Sequence, residues 1–261
     1  LNLYKILRWL GIYRIYETWL KRQIDNKEKP KHIGIILDGN RRWARRKGLN
    51  AWDGHKIGAS KVKDLLRWCY EIGIKTITLY TFSTENFSRS KEEREKLMSI
   101  LKEKVMEAIN DEELMRRGIK VKFIGDLQLL SKDLVEKMKV LENKTSQNTK
   151  MVVNIAVAYG GKHEILMATK RIAEKVYAGE IKPNDITYDL FQNHLYTSHL
   201  DHQDVDMVLR TGGEMRLSNF LLWQSAYSEL IFLDVYWPDF RKIDLMRAVR
   251  TYQNRQRRYG K

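Results

Sequence analysis

Two short segments, far apart in the chain, hold the residues best suited to chemistry. Asp38-Gly39-Asn40-Arg41-Arg42-Trp43 follows the apolar run His32 to Leu37. Arg210-Thr211-Gly212-Gly213-Glu214-Met215-Arg216-Leu217-Ser218-Asn219-Phe220 follows the apolar run Val205 to Leu209. Each places glycine, arginine and a carboxylate where a strand would open into a loop. A carboxylate for a divalent cation and arginines for phosphate oxygens are the parts of a diphosphate site.

Taken singly, most of these residues have a plainer use. Asp38 is either the N-cap of a helix starting near Arg41 or a magnesium ligand beside phosphate. Arg41, Arg42, Arg45 and Arg46 add charge there, some of it simply solvated. His55 is a phosphate donor or a helix-start residue. Ser83-Thr84-Glu85-Asn86-Phe87-Ser88-Arg89 is a capping loop whose Arg89 suits phosphate. Arg210 and Arg216 flank a glycine pair, and Ser218 adds a hydroxyl to that cradle. Asp201-His202-Gln203-Asp204-Val205-Asp206 could bind a metal, but reads better as a loop leading into a strand. Glu229, just before the last strand-like run, is unremarkable by itself.

The elements that must position these residues alternate along the chain. Strand-like runs are expected at His32–Leu37, Lys75–Phe82, Ile119–Ile124, Met151–Val157, Val205–Leu209 and Leu230–Asp234, mostly Ile, Val and Leu, as in strands covered on both faces. Ser90 and Glu93 make a capping box for a helix with Leu97, Leu101, Val105 and Ile109 on one face. Further helices are expected near 55–72, 131–142, 161–178 and 241–257. The pattern is an α/β single domain with a mainly parallel central sheet flanked by helices. Four polar clusters follow strands, Asp38, Ser83 to Arg89, Tyr159-Gly160-Gly161 and Arg210 to Ser218, so they converge on one sheet edge, where open α/β folds bind ligands.

Composition narrows the setting. The 261 residues suffice for one large core, and only three prolines and no Ser/Gly-rich stretch argue against a linker. The single cysteine, Cys69, excludes an intrachain disulfide or a cysteine-based zinc site. There is no G-x-x-x-x-G-K-[ST] or G-x-G-x-x-G loop, which disfavours nucleotide folds. The net charge of +15 implies an anionic partner: nucleic acid, a membrane surface or a phosphorylated substrate. Residues 1–28 form an amphipathic helical segment, with Trp9, Tyr13, Tyr16, Trp19, Leu20 and Ile24 on one half. It reads either as a helix docked on the domain or as an interfacial helix at a lipid surface. Residues 29–261 are expected to form the main domain.

From about residue 30 onward the chain resembles the cis-prenyltransferases, the undecaprenyl diphosphate synthases and their relatives. The resemblance rests on ordered blocks: His32 to Ala44, Gly54-His55-Lys56, Leu79 to Arg89, Asn154 to Gly161, Arg210 to Glu214, and Trp237-Pro238-Asp239-Phe240. It implies an apolar tunnel in the fold and repeated magnesium-dependent condensation of isopentenyl diphosphate onto an allylic diphosphate, geranylgeranyl or farnesyl diphosphate. The product would be a long polycis-polyprenyl diphosphate, precursor of a glycosyl carrier lipid.

Residue by residue, the resemblance implies that Asp38 binds magnesium and assists departure of the allylic diphosphate. Gly39, Asn40, Arg41, Arg42, Trp43 and His55 would line the allylic site. Ser83, Thr84, Glu85, Phe87 and Arg89 would shape the junction of the two substrates, with Asn86 guiding the proton. Arg210, Arg216, Leu217 and Ser218 would hold isopentenyl diphosphate, and Glu229 would complete the metal site. Leu97, Leu101, Val105 and Ile109 are candidates for the tunnel wall. Ala51 and Met215 depart from the family pattern, where an arginine and often a histidine stand. Arg258-Tyr259-Gly260 resembles an ending that reaches the partner subunit's site, so a homodimer is expected. The setting expected is the cytoplasmic face of a membrane, peripherally bound, with no nucleic acid partner. The rival reading is a noncatalytic partner subunit.

Overall fold

The computed structural model describes residues 12–255. Six strands, all parallel, form one sheet: β1 (His32–Ile36), β2 (Thr76–Ser83), β3 (Ile119–Ile124), β4 (Met151–Tyr159), β5 (Met207–Arg210) and β6 (Glu229–Phe232). Their order is β3-β4-β2-β1-β5-β6. The chain builds outward from β1 through β2 on one side, then returns to the other side for β5 and β6. The order therefore reverses between β1 and β5, which is where open α/β sheets form a ligand crevice.

Helices cover both faces: α1 (Ile12–Asp25), α2 (Asn40–Arg46), α3 (Ala51–Ile72), α4 (Lys91–Ile109), α5 (Glu112–Arg116), α6 (Lys132–Thr145), α7 (Gly161–Tyr177), α8 (Tyr188–Gln192) and α9 (Lys242–Asn254). The two-residue alternation of each strand splits the core. Ile33, Ile35, Leu79, Met207 and Leu209 face the larger core, with Leu65 of α3 and Val105 of α4. Ile36, Ala156 and Val208 face a smaller one with Phe220 and Leu221. Gly34, on that second face, leaves room for the Phe220 loop: a Cβ there would lie 3.0 Å from the Phe220 ring and 3.2 Å from Leu221.

The described part of the N-terminal segment, α1, is docked; Trp9 lies outside the described residues. Leu20 and Ile24 are fully buried and Tyr13 and Tyr16 pack against the same core. Arg247 of α9 donates to the Tyr16 hydroxyl at 2.9 Å, and Arg250 lies over the Trp19 ring. An amphipathic stripe fits a core and a bilayer equally well; here, from Tyr13 onward, the core has most of it. No helix among the described residues is long and apolar enough to cross a membrane.

The Asp201–Asp206 segment is structural. The Asp206 carboxylate accepts the backbone N–H groups of Lys31 (2.7 Å) and His32 (3.0 Å), tying the start of β5 to the start of β1. His32 and Thr78 hydrogen bond at 2.7 Å, Asn154 donates to Thr78 at 3.1 Å, and His199 meets Asn154 at 2.9 Å. Burial holds the His32 imidazole down at about 4. His32 is therefore neutral when folded and becomes charged more readily when unfolded. The unfolded state binds the extra proton first, so stability is full above about pH 6.5 and is lost as pH falls toward 4. The expected loss from His32 alone is on the order of 3 kcal/mol across that window. Urea midpoints at about pH 8 and about pH 5 check this, and the His32→Gln variant should show a shallower pH dependence.

Candidate active site

Ile36 pairs in register with Arg210, so the chain leaves β1 beside the point where it leaves β5. Arg210 Nη2 donates to Asp38 Oδ2 at 2.8 Å, and Arg42 Nη2 stands 3.3 Å from the same oxygen. Asp38 Oδ1 accepts the Gly39 N–H at 2.6 Å. The N-cap position of α2 belongs to Gly39, at φ 104°, not to Asp38. Asp38 is fixed through its backbone as well. Thr211 Oγ1 accepts the Asp38 N–H at 3.1 Å and donates to the Asp38 carbonyl at 2.8 Å. The Trp237 N–H reaches that carbonyl at 3.0 Å.

The loop after β5 supplies a second layer. Glu214 accepts from Arg42 at 2.9 Å and from Arg216 at 2.7 Å. Arg210 Nη1 donates to Ser218 Oγ at 2.7 Å. Ser218, Asn219 and Leu221 are all left-handed, at φ 49°, 63° and 46°. For residues with a Cβ this costs on the order of 1–3 kcal/mol each. Surrounding contacts hold the loop in that shape. Asn219 donates to Glu85 at 2.7 Å and accepts the Lys162 N–H at 2.8 Å, while Tyr80 donates to the Ser218 carbonyl at 3.2 Å. Phe220 and Leu221 anchor it from below, fully buried.

The loop after β2 makes the third side. Thr84–Ser88 is a single 3-10 turn in which Asn86 Oδ1 accepts the Ser83 N–H at 3.0 Å. With its oxygen engaged, Asn86 offers a donor, not a base. Arg89 donates to Glu93 at 2.8 Å, and Arg41 lies 3.5 Å from the same Glu93 oxygen. His55, in the second turn of α3, faces this cluster. Burial, then the charges of Arg89 and Arg41, lower its pKa to about 4. At neutral pH it is an uncharged hydrogen-bonding group.

These three sides open into a cavity of about 1550 Å³ between the sheet, α3 and α4. That exceeds the ~300–1,000 Å³ of sites for drug-sized ligands. Leu97, Leu101 and Val105 line it as expected, with Leu79, Val153 and Ile155 from the sheet; Ile109 does not. Asp38, Gly39, Asn40, Arg41, Arg42 and His55 all reach it, as do Ser83, Glu85, Asn86, Arg89, Arg210 and Ser218. Arg45 lines it too and Arg46 does not.

Trp43, Thr84, Phe87, Arg216 and Leu217 do not line the cavity, and Arg216 is exposed. Phe87 packs edge-on against Phe82 with ring centroids 5.0 Å apart, and Leu217 packs on the smaller core. Met215 is exposed. Glu229 is elsewhere. It opens β6 opposite Met207, at the amino edge of the sheet, and pairs with Arg255 at 2.5 Å. Within one chain Glu229 and Asp38 cannot share an ion. Arg258 and Gly260 lie outside the described residues. The supporting roles of Thr211, Glu214, Glu93 and Asn219 were missed. Two left a local signal: Glu93, four residues after Arg89 on a helix start, and Glu214, the carboxylate of the second segment.

The donor set fits a diphosphate better than a protein-caged metal. Among the described residues no three of His, Cys, Asp and Glu cluster to hold a metal ion. The buried Arg210 Nε and His55 Nε2 have no protein partner, as expected of groups that an anion completes. One carboxylate among arginines suits magnesium that arrives with phosphate oxygens as its other ligands.

The Prenyltransf family model, that of the undecaprenyl diphosphate synthases, matches residues 36–260. The chain belongs to this family of cis-prenyltransferases. The tritrans,polycis-undecaprenyl-diphosphate synthase (geranylgeranyl-diphosphate specific) of Methanocaldococcus jannaschii is 50% identical over 100% of this chain and 93% of its own. The synthase of the same name from Methanopyrus kandleri is 44% identical over 96% and 92%. Lavandulyl diphosphate synthase from Lavandula x intermedia, solved with dimethylallyl diphosphate, superposes with a TM-score of 0.87 at 35% identity. That match covers 89% of this chain and 99% of the other. The family's fold and the parallel sheet found here agree.

Gly212 tests the geometry. It sits at φ 90°, and a Cβ there would lie 2.8 Å from Arg42 Nη2 and 3.2 Å from the Asp38 carbonyl. Gly212→Ala should lower stability by about 1–3 kcal/mol in urea unfolding. It should also weaken binding of inorganic diphosphate roughly tenfold or more in calorimetric titration, by displacing Arg42.

Proposed function

We propose that this enzyme adds isopentenyl diphosphate repeatedly to geranylgeranyl diphosphate, giving a long polycis-polyprenyl diphosphate that serves as precursor of a glycosyl carrier lipid. The observation that carries this reading is the cavity. An arginine-rich diphosphate edge opens directly into an apolar space too large for a single short isoprenoid. The names of the archaeal relatives support the primer, and the lavender enzyme's bound dimethylallyl diphosphate supports an allylic diphosphate at this edge.

In the proposed reaction the allylic diphosphate lies against Asp38, Arg42 and the start of α2, whose free N–H groups favour an anion. Arg210 and Ser218 hold the second diphosphate. As the allylic C–O bond breaks, negative charge gathers on the departing oxygen, and Arg42 is fixed where that charge develops. Magnesium, held by Asp38 and the diphosphate, would supply further charge neutralisation. The isopentenyl double bond attacks the allylic carbon, and a proton leaves the isopentenyl unit. Asn86 orients the path of that proton, with a diphosphate oxygen as acceptor; His55, at about 4, is too weak a base at neutral pH. The apolar walls keep water from the cation.

A homodimer completes the proposal. A role for Glu229 at the metal requires a second chain, since in its own chain it stands at the far edge of the sheet. Peripheral contact with the cytoplasmic membrane surface is proposed from the +15 charge and a lipid product, not from the docked face of α1. Against the partner-subunit reading stand the intact contacts of Asp38 with Arg42 and Arg210.

Incubation with radiolabelled isopentenyl diphosphate, magnesium and each allylic primer in turn tests this. Long-chain product should form best from geranylgeranyl diphosphate and fall on the order of 100-fold or more in Asp38→Ala. Folded, dimeric protein that makes no product from any primer would favour the partner-subunit reading.

A further inference from the structure

The outward face of α1 differs in kind from the face that docks. Tyr13, Tyr16, Leu20 and Ile24 turn to the core, and Arg14, Ile15, Thr18, Trp19, Lys21 and Arg22 turn to solvent. That outward face holds three cations, two large apolar groups and no carboxylate. Ile15 is 70% exposed and Trp19 46%. Helix α9 extends it. The Arg247 guanidinium lies 5.1 Å over the Tyr16 ring and the Arg250 guanidinium 5.4 Å over Trp19, while Tyr16 stacks on Trp19 at 5.6 Å. The carboxylates of both helices are committed elsewhere: Glu17 to Lys242 at 2.5 Å, Asp25 to Lys29 at 2.9 Å and Asp244 to Arg241 at 2.9 Å. Among the described residues, Arg14, Lys21, Arg22, Arg247 and Arg250 pair with no carboxylate. The hydrogen bonds from Arg247 to Tyr16 and from Arg250 to Gln23 leave both charges intact.

We infer that this ridge, the outer seam of α1 and α9, is the surface that meets an anionic lipid bilayer. The inference rests on the membrane contact proposed above and gives it a place. Ile15 and Trp19 stand one helical turn apart in water, and the boundary between headgroups and acyl chains is the medium that takes up such a pair. The cations around them then lie at the depth of the lipid phosphates, which supply the counter-charge that the described fold does not. A nucleic acid would use the same cations and leave Ile15 without a role, so lipid is the partner that accounts for the whole face. Lys242 ties the ridge to the site. Besides Glu17 of α1 it pairs with Glu71 of α3 at 2.7 Å, and α3 is a wall of the cavity.

Co-sedimentation of the full chain with vesicles of phosphatidylcholine alone, and of phosphatidylcholine mixed with phosphatidylglycerol, tests this. Wild type should partition onto the anionic vesicles, less so as salt rises. Ile15→Asp and the double variant Arg14→Glu/Arg22→Glu should each lower the partition constant on the order of tenfold or more. Ile15→Trp should raise it, which a purely electrostatic contact would not show. All three positions are exposed, so urea midpoints should match wild type and exclude unfolding as the cause. Vesicle binding that Ile15→Asp and Arg14→Glu/Arg22→Glu both leave unchanged overturns the ridge alone, with the membrane reading intact. Wild type that binds neither vesicle overturns the membrane reading and this inference with it. Tighter binding to duplex RNA than to vesicles, lost in Arg14→Glu/Arg22→Glu and kept in Ile15→Asp, assigns the ridge to nucleic acid and overturns it as a lipid surface.

Discussion

The structure depends on one contact, the bond between Arg210 and Asp38 across the ends of β5 and β1. Arg210 is nearly buried, and a buried guanidinium without a counter-charge is costly. It can be tolerated there only if β5 lies beside β1 in the register that sets Ile36 opposite Arg210. That adjacency makes the sheet reverse its order at this place. It also brings Thr211 under the Asp38 backbone and lets Glu214 reach Arg42. The same pair that closes the fold across β1 and β5 leaves a carboxylate and two arginines facing an opening.

From that edge the chemistry changes with depth. Charge is concentrated at the mouth, and the middle is Leu, Val and Ile from the sheet and two helices. Strain is concentrated at the mouth. Ser218, Asn219 and Leu221, each with a Cβ, are left-handed there, held by Tyr80, Glu85 and the buried Phe220. A loop over-determined in this way does not need to reorganise when an anion arrives, which is the physical meaning of a preorganised site.

Much of this was legible in the chain. Apolar runs bounded by polar clusters marked all six strands within a few residues, because buried parallel strands have little freedom in composition. The rule that ligands sit at carboxyl ends already brought Asp38, Ser83, Arg89 and Arg210 to one edge. The same rule placed Glu229 at the opposite edge, since it precedes its strand; only the family resemblance put it beside Asp38. Three things were not legible. Strand order is set by tertiary packing that sequence order does not encode. Helices α5 and α8, of five residues each, are too short to show a helical period. The stripe of Tyr13, Tyr16, Leu20 and Ile24 says that a face is apolar and not what covers it. Thr211 and Asn219 support the site through contacts with residues more than a hundred positions away, which no local pattern reveals.

The most direct test of the account is a crystal structure of the protein with magnesium and a thio-substituted geranylgeranyl diphosphate. The account places the diphosphate against Arg42 and the N–H groups that open α2, with magnesium at Asp38 and the hydrocarbon running past Leu79 and Leu101 between the sheet and α4. A diphosphate bound away from Asp38, or a tail lying on the outer surface with the cavity still collapsed or solvent-filled, would contradict it.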